Sequence, residues 1–278
     1  ANLHLAFNVG CTLLLLPFNG LLVTLVERLI PGDTDQKEVS VLDERFLSTP
    51  SLALEKSHDT VVQMGHFALE NYRLSVELLN HFDSKKLERL QETEAALDKL
   101  EGLLDNYLVR LSDRSSLSPE DSAKVSELLH TLSDFERIGD YAVNIMEKAE
   151  ELQEKEASFS ENATKELQLL ENALNRILNL TNDAFENSDM RLAAQVEPLE
   201  EVIDVMAERL RDQHILRLKD GVCSIDTGVV FLDVLNNAER ISDHCSNVAA
   251  RLIGMDAGED YDSHTLKSIM HHNPTKDY

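Results

Sequence analysis

From residue 51 to about residue 253 apolar residues recur at spacings of three and four, with few glycines or prolines between them, the signature of long amphipathic helices. Six are expected. The first covers about 52–81, and the second runs from an Asp83 N-cap to about 111. The third starts at Pro119 behind a Ser118 cap, with Glu120 and Asp121 in its first turn, and reaches about 153. The fourth spans about 160–186, the fifth runs from an Asp189 cap to about 218, and the sixth covers about 224–253, closed by Gly254. Pro198 lies inside the fifth and is expected to kink it and re-aim Glu200.

The opening residues follow another pattern. No Asp, Glu, Lys or Arg occurs from Ala1 to Val26, and this apolar run is long enough to cross a bilayer core of about 30 Å. A transmembrane helix over residues 1–30 is expected. A signal peptide fits less well, because the run is too long, has no basic leader and shows no small-residue cleavage site; a buried helix of a soluble protein is the lesser alternative. Residues 31–50, opening with Pro31 and Gly32, read as a linker, and residues 256–278 as a polar tail. The start at Ala1 suggests a fragment of a longer chain.

Composition supports an all-α fold: 278 residues with 42% apolar content, only 5% aromatic residues and no Trp. Fifty-one acidic against 26 basic residues give a net charge of −25, which disfavours nucleic acid and anionic lipid headgroups and favours cations or basic partners. Cys11, Cys223 and Cys245 have no paired spacing and read as buried thiols rather than as a disulfide framework or zinc site.

One nine-residue phrase occurs twice, as Glu136-Arg137-Ile138-Gly139-Asp140-Tyr141-Ala142-Val143-Asn144 and as Glu239-Arg240-Ile241-Ser242-Asp243-His244-Cys245-Ser246-Asn247. On a helix, Glu, Asp and Asn at i, i+4 and i+8 are expected on one face, as a row of oxygen donors. Acid pairs at i, i+4 recur by chance in so acidic a chain; what distinguishes these is the whole shared phrase and its place on an apolar seam. On the preceding helix of each half stand Glu94 with Asp98 and Glu200 with Asp204, 106 residues apart, so the second half repeats the first. Two tandem three-helix bundles are expected, at 51–155 and 156–255.

Carboxylates on a buried seam are costly unless protonated or neutralised, and a bound divalent metal neutralises them. The expected sets are Glu94, Asp98, Glu136 and Asp140 in the first bundle, and Glu200, Asp204, Glu239 and Asp243 in the second. Asn144 and Asn247 would add neutral oxygens or orient the acids. Oxygen ligands suit Mg, Ca or Mn, and carboxylate clusters also hold Fe. Alternatively Arg137 and Arg240 pair with these acids and the rows are solvated helix faces. Gly139 and Ser242, small residues at equivalent positions, would let a neighbouring helix approach closely.

The repeated Glu-Arg-Ile-Gly/Ser-Asp-x-x-x-Asn phrase, with its second acidic pair, resembles the PhoU family over about residues 51–255. The resemblance implies two tandem three-helix bundles with metal clusters at the eight acidic positions above; Fe, Zn, Mn, Mg and Ca are all candidates. Arg137 and Arg240 stand beside them. Ala1-Asn2-Leu3-His4-Leu5-Ala6-Phe7-Asn8, followed by Leu15-Leu16-Pro17-Phe18, resembles the last membrane segment of type II sodium-dependent phosphate cotransporters. Together these imply a regulatory module attached to a sodium/phosphate transporter in the cell membrane, with cytoplasmic bundles. The rest of that transporter would be its partner, sodium and phosphate the transported ions, and a homodimer is kept as a candidate assembly. Asn2, His4 and Asn8 are the transport-segment candidates. No catalysis is expected. A ferritin-type di-metal oxidase would need Glu-x-x-His, absent from both motifs, and a metal-free oligomerisation platform is the other alternative.

Overall fold

The computed structural model describes residues 42–113, 117–221 and 223–257. The expected transmembrane helix, Asn2, His4, Asn8 and almost all of the polar tail lie outside these residues. Among the described residues no helix is long and apolar enough to cross a membrane. The helices belong to one compact unit that begins at Glu44.

Seven α-helices are described: α1 (Pro50–Asn80), α2 (Ser84–Ser112), α3 (Pro119–Glu154), α4 (Glu161–Glu186), α5 (Met190–Ala193), α6 (Val196–Lys219) and α7 (Ile225–Ala257). Their starts follow the sequence signals. Asp83 accepts from the Lys85 amide at 2.8 Å, and Ser118 and Asp121 form a reciprocal capping box behind Pro119. Ser160 caps α4.

Three expectations are corrected. The fifth helix is not continuous: Asp189 caps the four-residue α5, and α6 begins only at Val196, so Pro198 lies in a first turn whose amides have no intrahelical acceptor and produces no mid-helix kink. Gly254 does not close α7, which continues to Ala257. The end of the linker is not free chain: Glu44–Ser48 forms a 3-10 helix that buries Leu47 and is tied to α2 by a 2.5 Å Glu44–Arg110 ion pair.

α1, α2 and α3 pack together, as do α4, α6 and α7. Met64, Leu90, Leu97, Leu104 and Ile138 of the first group and Ile203, Phe231, Leu235 and Ile241 of the second are buried, and Tyr72 of the first lines a cavity with Leu170 and Leu174 of the second. The groups are joined directly, α3 to α7 and α1 to α4. Asn182 of α4 donates to the Gly65 carbonyl of α1 at 3.0 Å, and a Cβ at Gly65 would stand 2.5 Å from Asn182 Oδ1, so only glycine permits this approach. The two helices bearing the repeated phrase therefore lie against each other at the centre of the unit.

Candidate functional site

The acidic pairs of α2 and α3 come together across a gap set by Gly139. A Cβ there would lie 2.4 Å from Leu97 Cδ2 and 3.6 Å from Glu94 Oε2, so the missing side chain lets α2 close on α3 beside the carboxylates. Burial, then Asp98 and Asp140, push the Glu94 carboxyl up to about 7; Asn71 opposes this by donating to Glu94 Oε2 at 3.0 Å. Glu136 is also pushed up to about 7, by burial, then Asp140 and Glu101, against Arg137. Burial and Asp140 raise Asp98; burial, Asp98, Asp105 and Asp140 raise Glu101. Glu94, Asp98, Glu101 and Glu136 are held above their ordinary range by lost hydration and by neighbouring carboxylates, the mark of a site short of positive charge. Arg137 supplies little, standing 3.7 Å from both Glu136 and Asp140 and more than half exposed.

Two participants lie outside the expected set. Glu101 follows Glu94 and Asp98 at i+7 and i+3, a spacing that placed it on the same face from the sequence alone. Asn71 arrives from α1, fully buried, and its Oδ1 has no hydrogen-bond partner among the described residues. No sequence motif marks it.

A divalent cation fits this donor set: hard carboxylate oxygens, a neutral amide oxygen without a partner, and an uncompensated negative field. The side chains as they stand do not already enclose one, for among the described residues no three His, Cys, Asp or Glu are arranged to hold a metal ion.

The second bundle differs in its counter-charge. Glu200 is buried, whereas Asp204 and Asp243 are exposed, as Asp98 is in the first bundle. Glu239 Oε2 meets Arg211 Nη2 at 2.5 Å, and the same nitrogen lies 3.1 Å from Asn236 Oδ1. Glu197, which the sequence reading passed over, is buried and accepts a hydrogen bond from Ser246.

The hydrogen bonds of the phrase's asparagines and of Arg240 cross the seam between bundles instead of framing the acids. A helix turns about 100° per residue, so an Asn eight residues after a Glu is rotated by about 80° from it and faces another neighbour. Asn144 donates to Asn237 at 3.4 Å, and Asn247 to Asp134 at 3.4 Å, so positions 103 residues apart exchange like contacts. Tyr141 and His244, also 103 apart, stack on each other with centroids 5.7 Å apart, and Arg240 lies over the Tyr141 ring. Asp134, 5% exposed, takes Arg251 at 3.0 Å and His244 Nδ1 at 2.9 Å; Lys148 pairs with Asp233 at 3.1 Å. One face of each phrase helix thus carries acids and the adjacent face makes the inter-bundle seam.

Tandem three-helix bundles related by an internal repeat, with carboxylates gathered between helices, define the class of protein. The profile of the PhoU domain matches residues 61–149 and 167–252, and the chain belongs to the PhoU family. It is similar to the phosphate-specific transport system accessory protein PhoU homolog 1 of Thermotoga maritima, 24% identical over 199 residues, covering 72% of this chain and 85% of that protein. A homologue of the same description from Xylella fastidiosa is 24% identical over 204 residues, 72% of this chain and 83% of that one. The fold matches PhoU from Pseudomonas aeruginosa with a TM-score of 0.69 at 22% identity, over 74% of this chain and 97% of that one. It also matches the phosphate transport system regulatory protein PhoU from Streptococcus pneumoniae, with a TM-score of 0.68 at 22% identity, over 77% and 100%.

Proposed function

We propose that this chain is an accessory module of phosphate transport whose first bundle binds a divalent cation, and that occupancy of this site sets how the module acts on uptake. The family and its phosphate-transport accessory relatives support the phosphate-transport role. The observation that carries the cation reading is the convergence of Glu94, Asp98, Glu101 and Glu136 around Asp140, the first four carboxyls each pushed above their ordinary range by burial and by one another, beside the unpartnered Asn71 oxygen. A bound cation would supply the missing positive charge; the chain's own residues provide the oxygens, and Gly139 the close helix approach. Mg, Ca and Mn suit such oxygens best, with Fe and Zn as the other candidates. The module catalyses nothing in this reading.

The resemblance of residues 1–18 to a cotransporter segment extends the reading: the bundles are carried on a sodium-coupled phosphate transporter in the cell membrane, face the cytoplasm, and act on the transporter through residues 31–50. A second reading, an interaction platform without metal, draws on Val202, Val205 and Leu216, about half exposed along α6.

The test is phosphate uptake by cells carrying the intact protein or its Glu94→Gln/Glu136→Gln variant. The cation reading expects the variant to fold and to lose the dependence of uptake on phosphate supply. Unchanged uptake and unchanged dependence would favour the platform.

A further inference from the structure

The two halves repeat a phrase but not a charge balance. Burial along α2 and α6 repeats at the 103-residue offset of the phrase itself, Leu97, Leu100, Leu104 and Tyr107 matching Glu200, Ile203, Ala207 and Leu210, and at that offset Arg211 stands where the first half has the buried Leu108. The second half therefore gains a guanidinium among its acids where the first half has an apolar side chain. That guanidinium is engaged: Arg211 Nη2 touches Glu239 Oε2 at 2.5 Å, both side chains about a third exposed or less, and Asn236 holds the same nitrogen at 3.1 Å. In the first half the nearest arginine, Arg137, stays 3.7 Å from its acids and mostly in solvent.

We propose that Arg211 is the permanent counter-cation of the second set, so that exchangeable cation binding is confined to the first bundle and the two halves of the molecule are functionally unequal. A guanidinium in contact with Glu239 supplies the charge that a metal would, and a second cation at that carboxylate would be repelled by it. The geometry does not fit a metal cluster at Glu239, although the phrase there is nearly the same as at Glu136. The confinement to the first bundle rests on the cation reading above; the role of Arg211 stands on the second bundle alone.

Equilibrium binding of Mn2+ to the intact protein separates the two. Wild type is expected to bind Mn2+ in one class of site, abolished in Glu136→Gln/Asp140→Asn and untouched in Glu239→Gln. Arg211→Gln is expected to bind at least one additional Mn2+ per chain, lost again when Glu239→Gln is added. Arg211→Leu, which copies the corresponding Leu108, serves as the second variant should Arg211→Gln fold poorly, and the wild-type comparison with Glu239→Gln needs neither. Mn2+ retained by Glu136→Gln/Asp140→Asn and removed by Glu239→Gln would overturn the proposal, as would Arg211 variants binding no more than wild type. Arg211 variants that gain Mn2+ while wild type binds none would uphold Arg211 as counter-cation and overturn the first-bundle reading instead.

Discussion

Glu94 and Glu136 bear the electrostatic cost of the first bundle. A glutamate freed by unfolding titrates near 4.5, whereas both are raised to about 7 in the folded protein. Between those values the folded state binds more protons than the unfolded state, so stability falls as pH rises through this window and is flat above it. Metal-free protein should therefore melt at a higher temperature at pH 5 than at pH 8, and Glu136→Gln should narrow that gap; thermal melts in chelator check both, and equal melting points would remove the strain from the account. The residue scale is also where the sequence was least legible. Four of the acids at this site were found from spacing alone. Asn71 was not, because a buried amide on a third helix leaves no periodic trace, and Arg211 was not, because which side chains meet across two helices depends on their packing and not on the order within either.

Helix starts were written plainly in the chain, since Asp83, Ser118, Ser160 and Asp189 each accept amide hydrogen bonds at the first turn. Helix interiors were legible as long apolar stripes, but the break before Val196 was not, and Pro198 was read as a kink because its distance from a helix start could not be known. Helix ends carry an unused reserve of stability. Glu156 and Ser188 occupy the left-handed region, with φ of 48° and 49°, where α3 and α4 end. Both turns close with the paired hydrogen bonds of a glycine-type helix terminus: Ala157 N to Leu152 O and Asp189 N to Ala184 O, each 2.9 Å. Replacing Glu156 with Gly should raise stability by about 0.5–1 kcal/mol, since the L side chain is strained there; a lower denaturation midpoint would show that the Glu156 side chain contributes more than its backbone costs.

Across the whole molecule, the phrase helices α3 and α7 serve two purposes at once. One face of each carries acids, and their adjacent faces form the seam where Asp134 gathers Arg251, His244 and Asn247. A shift of α3 on filling the acid site would reach Asp134 within one turn, because Glu136 follows it by two residues. Asp134→Ala leaves the Arg251 guanidinium without this buried partner and should cost about 3 kcal/mol in chemical denaturation. A loss below ~0.5 kcal/mol would mean that apolar packing alone holds the seam. The tandem architecture was legible from the 103-residue repeat, but the seam was not, because Asn144 and Asn247 are rotated about 80° from Glu136 and Glu239 and which helix they meet depends on packing.

The most direct measurement is elemental analysis of the purified protein by mass spectrometry, before and after chelation, beside the Glu94→Gln/Asp98→Asn variant. At least one divalent or transition metal ion per chain, removed by chelation and missing from a folded variant, is the predicted result. Equal metal content in wild type and variant, or none in either, would contradict the cation site in the first bundle.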